Sequence, residues 1–216
     1  MGPETNMSAS CCEHEPKFDG ATKAFKCALC AVIGINAGMF AVEIGAGVMA
    51  GSQALLADAL DFLGDTATYG LSLAVIGMSL RTRAFAALVK GWSLAAMGIV
   101  VLGATAWRIL AAEVPAADVM GVVGLMALVA NLLSVVLLLR FRDGDANVRS
   151  VWLCSRNDAI GNVAVMAAAA GVWGTTTAWP DLIVAAAMAG LFLWSALSII
   201  RQAAAERQQV TLSAAP

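Results

Sequence analysis

Apolar residues dominate six long stretches of this chain, at roughly 27–49, 54–80, 85–110, 118–139, 150–173 and 182–200. A helix needs about 20 mainly apolar residues to cross a bilayer, and each stretch is close to that length. Within lipid every backbone N–H and C=O must be satisfied inside the segment, so these stretches predict helices. The alternating apolar and polar pattern of a membrane barrel is absent. Short breaks separate the stretches: Gly51-Ser52, Arg81-Thr82-Arg83, Glu113-Val114-Pro115, Arg140 to Arg149, and Thr175 to Asp181 with Pro180. The pattern predicts an all-α polytopic membrane protein of six transmembrane helices. Residues 1–26 form a polar tail with no apolar run, which does not read as a cleavable signal peptide. Residues 27–200 hold the six spans, and 201–216 are a tail too short to fold alone.

Composition agrees with this pattern. Of the 216 residues 60% are hydrophobic and only 13% charged, and the mean hydropathy is +0.81, which leaves too little charge to cover a soluble surface. The formal net charge of −2 excludes a nucleic-acid partner as the working expectation. The positions of Lys and Arg set the orientation. Eleven of the thirteen fall in the N-terminal tail, at the 2–3 and 4–5 breaks, or in the C-terminal tail. Arg108 alone falls on the other side, and Arg156 lies within the fifth span. The positive-inside rule therefore places both termini in the cytosol. Trp152 and Trp173 bracket span five, and Trp92 and Trp107 lie toward the ends of span three, where interfacial tryptophans belong.

Charges inside the spans are costly and point to function. Span one carries Asn36 and Glu43, span two Asp58, Asp61 and Asp65, span four Asn131, and span five Arg156, Asn157, Asp158 and Asn162. In span two, Asp58, Asp61 and Asp65 are three and four residues apart and share a helical face, which Thr68 and Ser72 continue. In span five, Cys154, Asp158 and Asn162 are four apart and form a second polar face, with Arg156 pointing away from it. Span two enters from outside and reaches Asp65 after about 11 residues, or roughly 16 Å. Span five enters from inside and reaches Asp158 after about 8 residues, or roughly 12 Å. Together these approach the roughly 30 Å of hydrocarbon, so the two faces meet near the midplane, where secondary transporters place their sites. Three carboxylates gathered in a low dielectric hold together when a cation joins them, and otherwise take up protons. Asp58, nearer the outer end, is expected to be solvated. Asn36, Asn131 and Asn157 read as interhelical hydrogen-bonding residues.

These residues resemble the cation diffusion facilitator family. The run from Asn36 through Glu43, and then Ala50-Gly51-Ser52-Gln53-Ala54-Leu55-Leu56-Ala57-Asp58-Ala59-Leu60-Asp61-Phe62-Leu63-Gly64-Asp65, looks like the family's first and second spans. Cys154-Ser155-Arg156-Asn157-Asp158-Ala159-Ile160-Gly161-Asn162-Val163 looks like its fifth. The resemblance implies a metal site built from a pair in span two, Asp61 and Asp65, and a pair in span five, Cys154 and Asp158. Asn162 is a further candidate ligand on the same face. It implies export of divalent cations driven by proton influx. Two departures stand out. Cys154 occupies a position usually held by His or Asp. The cytoplasmic domain that usually follows span six, a metal-binding dimerisation module, is not in this sequence, so the chain reads as a short form. A homodimer is a further expected partner, with its mode of assembly left open.

At the cytosolic end, Cys11, Cys12 and His14 are spaced as a thiol and imidazole cluster, read either as a mobile collecting site for a borderline-soft metal or as incidental cysteines of a polar tail. Cys27 and Cys30 form a C-x-x-C at the mouth of span one, read mainly as small packing residues. Asp143-Gly144-Asp145-Ala146-Asn147 lacks the Gly and Glu of a calcium loop and reads as a charged turn. The expectation is a non-enzymatic, proton-coupled exporter of Zn²⁺ or Cd²⁺ in the cytoplasmic (inner) membrane. Its partners are metal cations, protons and lipid. It needs no cofactor, since the metal is its substrate. The alternatives are an exporter of a harder cation (Mn²⁺, Fe²⁺ or Co²⁺) and a membrane metal-binding or sensing protein with no transport cycle.

Overall fold

A computed structural model describes residues 22–74, 80–111, 113–141 and 146–213. The described residues form six α-helices and no strand: α1 (Lys23–Ala50), α2 (Gln53–Ala74), α3 (Leu80–Ala111), α4 (Ala117–Leu138), α5 (Ala146–Thr175) and α6 (Trp179–Ser213). A 3-10 turn, Leu139–Phe141, follows α4. This is the expected all-α, six-helix chain.

The helices begin and end where local chemistry requires. Thr22 caps α1, its hydroxyl accepting from the Phe25 N–H at 3.2 Å. Gly51 ends α1 in the left-handed conformation, at φ 67° and ψ 23°. A Cβ there would also crowd the Arg108 guanidinium, which would have to shift. Glycine suits both features. The sharp turn sets α2 antiparallel to α1.

Two helices extend beyond the spans read from the sequence. Arg81, Thr82 and Arg83 lie within α3. Three polar residues fill less than one turn, which a helix tolerates where it leaves hydrocarbon. The last helix does not stop near residue 200 but continues to Ser213. The segment Gln202-Ala203-Ala204-Ala205-Glu206-Arg207 consists of strong helix formers with no Gly or Pro to stop it.

Four helical segments are long and apolar enough to cross a membrane: Lys23–Ala50, Ala87–Leu110, Ala117–Phe141 and Trp179–Arg201. Their outward surfaces carry Leu110, Val122, Leu133, Val136, Leu191 and Trp194, an apolar belt that water would not tolerate and lipid does. Trp92, Trp107 and Trp173 are also exposed, as interfacial anchors would be. The helices that carry Asp61, Asp65 and Asp158, α2 and α5, are not among the four. The protein is a multi-pass membrane protein.

The most extensive helix pairings are α3 with α6, α1 with α2, and α4 with α5, and α1 also packs on α4. Smaller contacts tie α2 and α5 to α6 and to each other. With the ends of the spans assigned from the charge pattern, an outer apolar cluster joins Ala50, Leu55, Met120, Val165, Val172 and Ala189. An inner cluster joins Phe25, Leu29, Val32, Tyr69, Leu138 and Phe141. The rings of Phe25 and Phe141 meet edge to face at 5.3 Å, and the Arg140 guanidinium lies 4.5 Å from the centre of the Phe141 ring. Between these two layers lie the carboxylates of α2 and α5.

Candidate functional site

On α2, helical spacing brings Asp61 and Asp65 to one face, one turn apart. On α5, Cys154 and Asp158 have the same spacing. The fold brings the two pairs together. Asp158 faces both Asp61 and Asp65 across the α2–α5 interface, and Cys154 is near enough to both aspartates to feel their charge. All four side chains are half-buried. One carboxylate oxygen of Asp158 is enclosed and has no hydrogen-bond partner. Among the described residues, no three His, Cys, Asp or Glu side chains close on a common point as metal ligands would. The four are neighbours, not a closed shell.

Asn162, one turn beyond Asp158, is 0% exposed, and both its amide atoms lack a hydrogen-bond partner. Arg156 is exposed, as its position two residues before Asp158 predicts. Cys27 and Cys30 lie in the first turns of α1 and are exposed. Cys11, Cys12 and His14 lie outside the described residues, as do Asp143, Gly144 and Asp145 of the charged turn.

Two further residues join the site. Tyr69 lies one turn past Asp65 on α2. Its buried hydroxyl stands near Asp65, Asp158 and Cys154. Lys90 on α3 is half-buried and places its positive charge near Asp61, Asp65 and Cys154. A lysine within an apolar span is the signal that would have found it; the charge count absorbed it into the 2–3 break.

Asp58 corrects an expectation. It is not solvated but 2% exposed, because its side of α2 packs on α1 and faces Glu43, which is 0% exposed. Both oxygens of Glu43 and one of Asp58 are buried without a hydrogen-bond partner. This second acidic pair lies one turn outward of Asp61. Arg108, the lone outer cation, is also engaged. It donates to the Gly51 carbonyl at 2.6 Å and pairs with Glu113, holding α3 against the α1–α2 corner.

Comparison with known proteins assigns the fold. Residues 29–206 match the cation efflux transmembrane domain, which covers all six helices almost end to end. The chain belongs to the cation efflux family. Among curated relatives, the zinc transporter ZitB of Escherichia coli is 30% identical over 188 residues, 80% of this chain and 59% of ZitB. The metal cation efflux system protein CzcD of Cupriavidus metallidurans is 30% identical over 155 residues, 66% of this chain and 49% of CzcD. The chain thus spans roughly half to three-fifths of the length of these relatives.

Proposed function

We propose that this protein exports a divalent metal cation from the cytosol across the cytoplasmic membrane in exchange for protons, with Zn²⁺ and Cd²⁺ as favoured substrates. The observation that carries this reading is Asp158 of α5 standing against Asp61 and Asp65 of α2, half-buried between two apolar layers. Three carboxylates in that setting repel one another unless protons or a cation neutralise them. A divalent cation replaces the protons, and protons from outside displace the cation. Either occupant satisfies the site, and its electrostatics disfavour leaving it empty. The cation efflux family and the names of two relatives, one a zinc transporter, support metal as the cargo.

In this mechanism Asp61, Asp65 and Asp158 supply oxygen ligands and exchange them between metal and proton. Cys154 supplies a softer donor one turn inward of Asp158, which biases the set toward Zn²⁺ and Cd²⁺ over Mn²⁺. Tyr69 and the inner apolar cluster shield the cytosolic side of the site. Lys90 tempers its negative charge. Alternating access exposes the site to each side in turn by rocking α2 and α5 against their neighbours. Cys11, Cys12 and His14 raise the local supply of metal at the inner mouth.

The test is flux in vesicles holding the purified protein, run across Zn²⁺, Cd²⁺, Co²⁺, Fe²⁺ and Mn²⁺ with and without a pH gradient. Zn²⁺ and Cd²⁺ should move fastest, and an opposing proton movement should accompany them. Metal flux indifferent to a pH gradient and to protonophores would contradict exchange.

A further inference from the structure

Asp181 is another buried carboxylate, 1% exposed, and it is fully partnered. It lies in the first turn of α6. Its Oδ1 accepts from the Ser52 hydroxyl at 2.6 Å and from the Ala54 N–H at 3.1 Å, and its Oδ2 accepts from the Gln53 N–H at 2.8 Å. The Ser52 hydroxyl in turn accepts from the Leu55 N–H at 3.1 Å. These are the N–H groups that the start of α2 leaves unsatisfied. A helix usually takes its cap from the residue just before it. Here Ser52 supplies one part and α6 supplies the rest, from more than a hundred residues away. A carboxylate at the positive end of a helix, in charge-assisted hydrogen bonds and shielded from water, is a strong tether.

The same corner also holds α5. Pro180, the residue before Asp181, packs on Gly171 so closely that a Cβ there would stand 2.8 Å from the Pro180 Cβ. The start of α6 thus fixes the outer ends of both helices that carry the metal-site candidates. A helix transmits an axial shift along its length. Asp61 lies about 12 Å and Asp65 about 18 Å from Gln53 along α2, at 1.5 Å per residue. A displaced α2 therefore carries both carboxylates out of register with Cys154 and Asp158.

We propose that Asp181 is a positioning residue for the metal site: by gripping the first turn of α2 it sets the height of Asp61 and Asp65 against α5. This rests on reading those aspartates as the metal site. The test separates positioning from simple capping. Asp181→Ala removes both. Ser52→Asp combined with Asp181→Ala returns a carboxylate to the first turn of α2 from α2 itself, without the tie to α6. Each protein is purified, its thermal unfolding in detergent is measured, and its KM for Cd²⁺ is measured in vesicles. Asp181→Ala should unfold at lower temperature and raise KM, by up to about 100-fold if the site is misplaced by ~1 Å, as a distant mutation can cost a positioned site. The double variant should recover the unfolding temperature and keep the raised KM. Should Asp181→Ala itself fail to fold, the double variant alone decides the matter. Recovery of the parental KM in the double variant would overturn the proposal and leave Asp181 as a cap only. Asp61→Ala serves as the control for the underlying site. If it keeps parental KM and flux, the site reading fails and the positioning role fails with it, whatever the Asp181 variants show.

Discussion

Two groups of carboxylates lie one helical turn apart inside this protein, and they differ in access. Asp61, Asp65 and Asp158 join α2 to α5, are half-buried, and have a cation, Lys90, nearby. Glu43 and Asp58 join α1 to α2, are 0% and 2% exposed, and leave three oxygens without a hydrogen bond. The chemistry of the groups is the same, but their surroundings are not. A transported ion has to enter and leave its site, so a half-buried group between two apolar layers suits cargo. A sealed pair suits a tie between α1 and α2 that does not exchange with metal. Acidic residues within a span are thus not equivalent candidates, and the packing around each one decides its role.

The contrast predicts opposite outcomes for substitution. Asp61→Ala, Asp65→Ala or Asp158→Ala should each abolish metal flux in vesicles while the protein still inserts and folds. Glu43→Gln should keep the affinity for Cd²⁺ within about threefold of the parent, less than about 1 kcal/mol, with any loss falling on turnover. Normal flux in two of the three aspartate variants, or loss of metal affinity in Glu43→Gln, would erase the distinction between the groups.

A smaller effect sharpens the description of the half-buried group. Cys154 lies one turn from Asp158 and packs partly against the inner apolar cluster. As a ligand it favours soft cations, and as a packing residue it favours none. Cys154→Asp should shift relative rates toward Mn²⁺, and Cys154→Ser should weaken Cd²⁺ more than Zn²⁺. Unchanged relative rates for Cd²⁺, Zn²⁺ and Mn²⁺ in both variants would remove Cys154 from the ligand set and favour Asn162, which is buried with its amide unpaired.

The sequence made some of this legible and hid the rest for physical reasons. Helical spacing fixes which residues share a face of one helix, so the pairing of Asp61 with Asp65 and of Cys154 with Asp158 could be read directly. Counting residues from each membrane surface placed the two faces at one depth, and in the fold Asp158 meets both aspartates. Contacts between helices distant in sequence carry no such signal. Asp58 looked solvated because its depth was counted from the end of α2, whereas its burial comes from α1. Asp181 looked like a loop residue because its partners, the first N–H groups of α2, lie at the other end of the chain. Lys90 was counted as an interfacial charge because it follows two arginines closely. Helices α3 and α6 extend past the spans because polarity marks the edge of a bilayer, and a helix can continue past it.

Proton release on metal binding tests the central claim most directly, because it asks whether one site holds either occupant. The measurement is calorimetric titration of Cd²⁺ into purified protein in two buffers of different ionisation heat, for the parent, Asp158→Asn and Glu43→Gln. The account predicts that the parent releases protons as it binds metal and that Glu43→Gln releases the same number. It also predicts that Asp158→Asn binds weakly or releases fewer. Metal binding by the parent with no release of protons, or full release from Asp158→Asn, would contradict a carboxylate site that exchanges metal for protons.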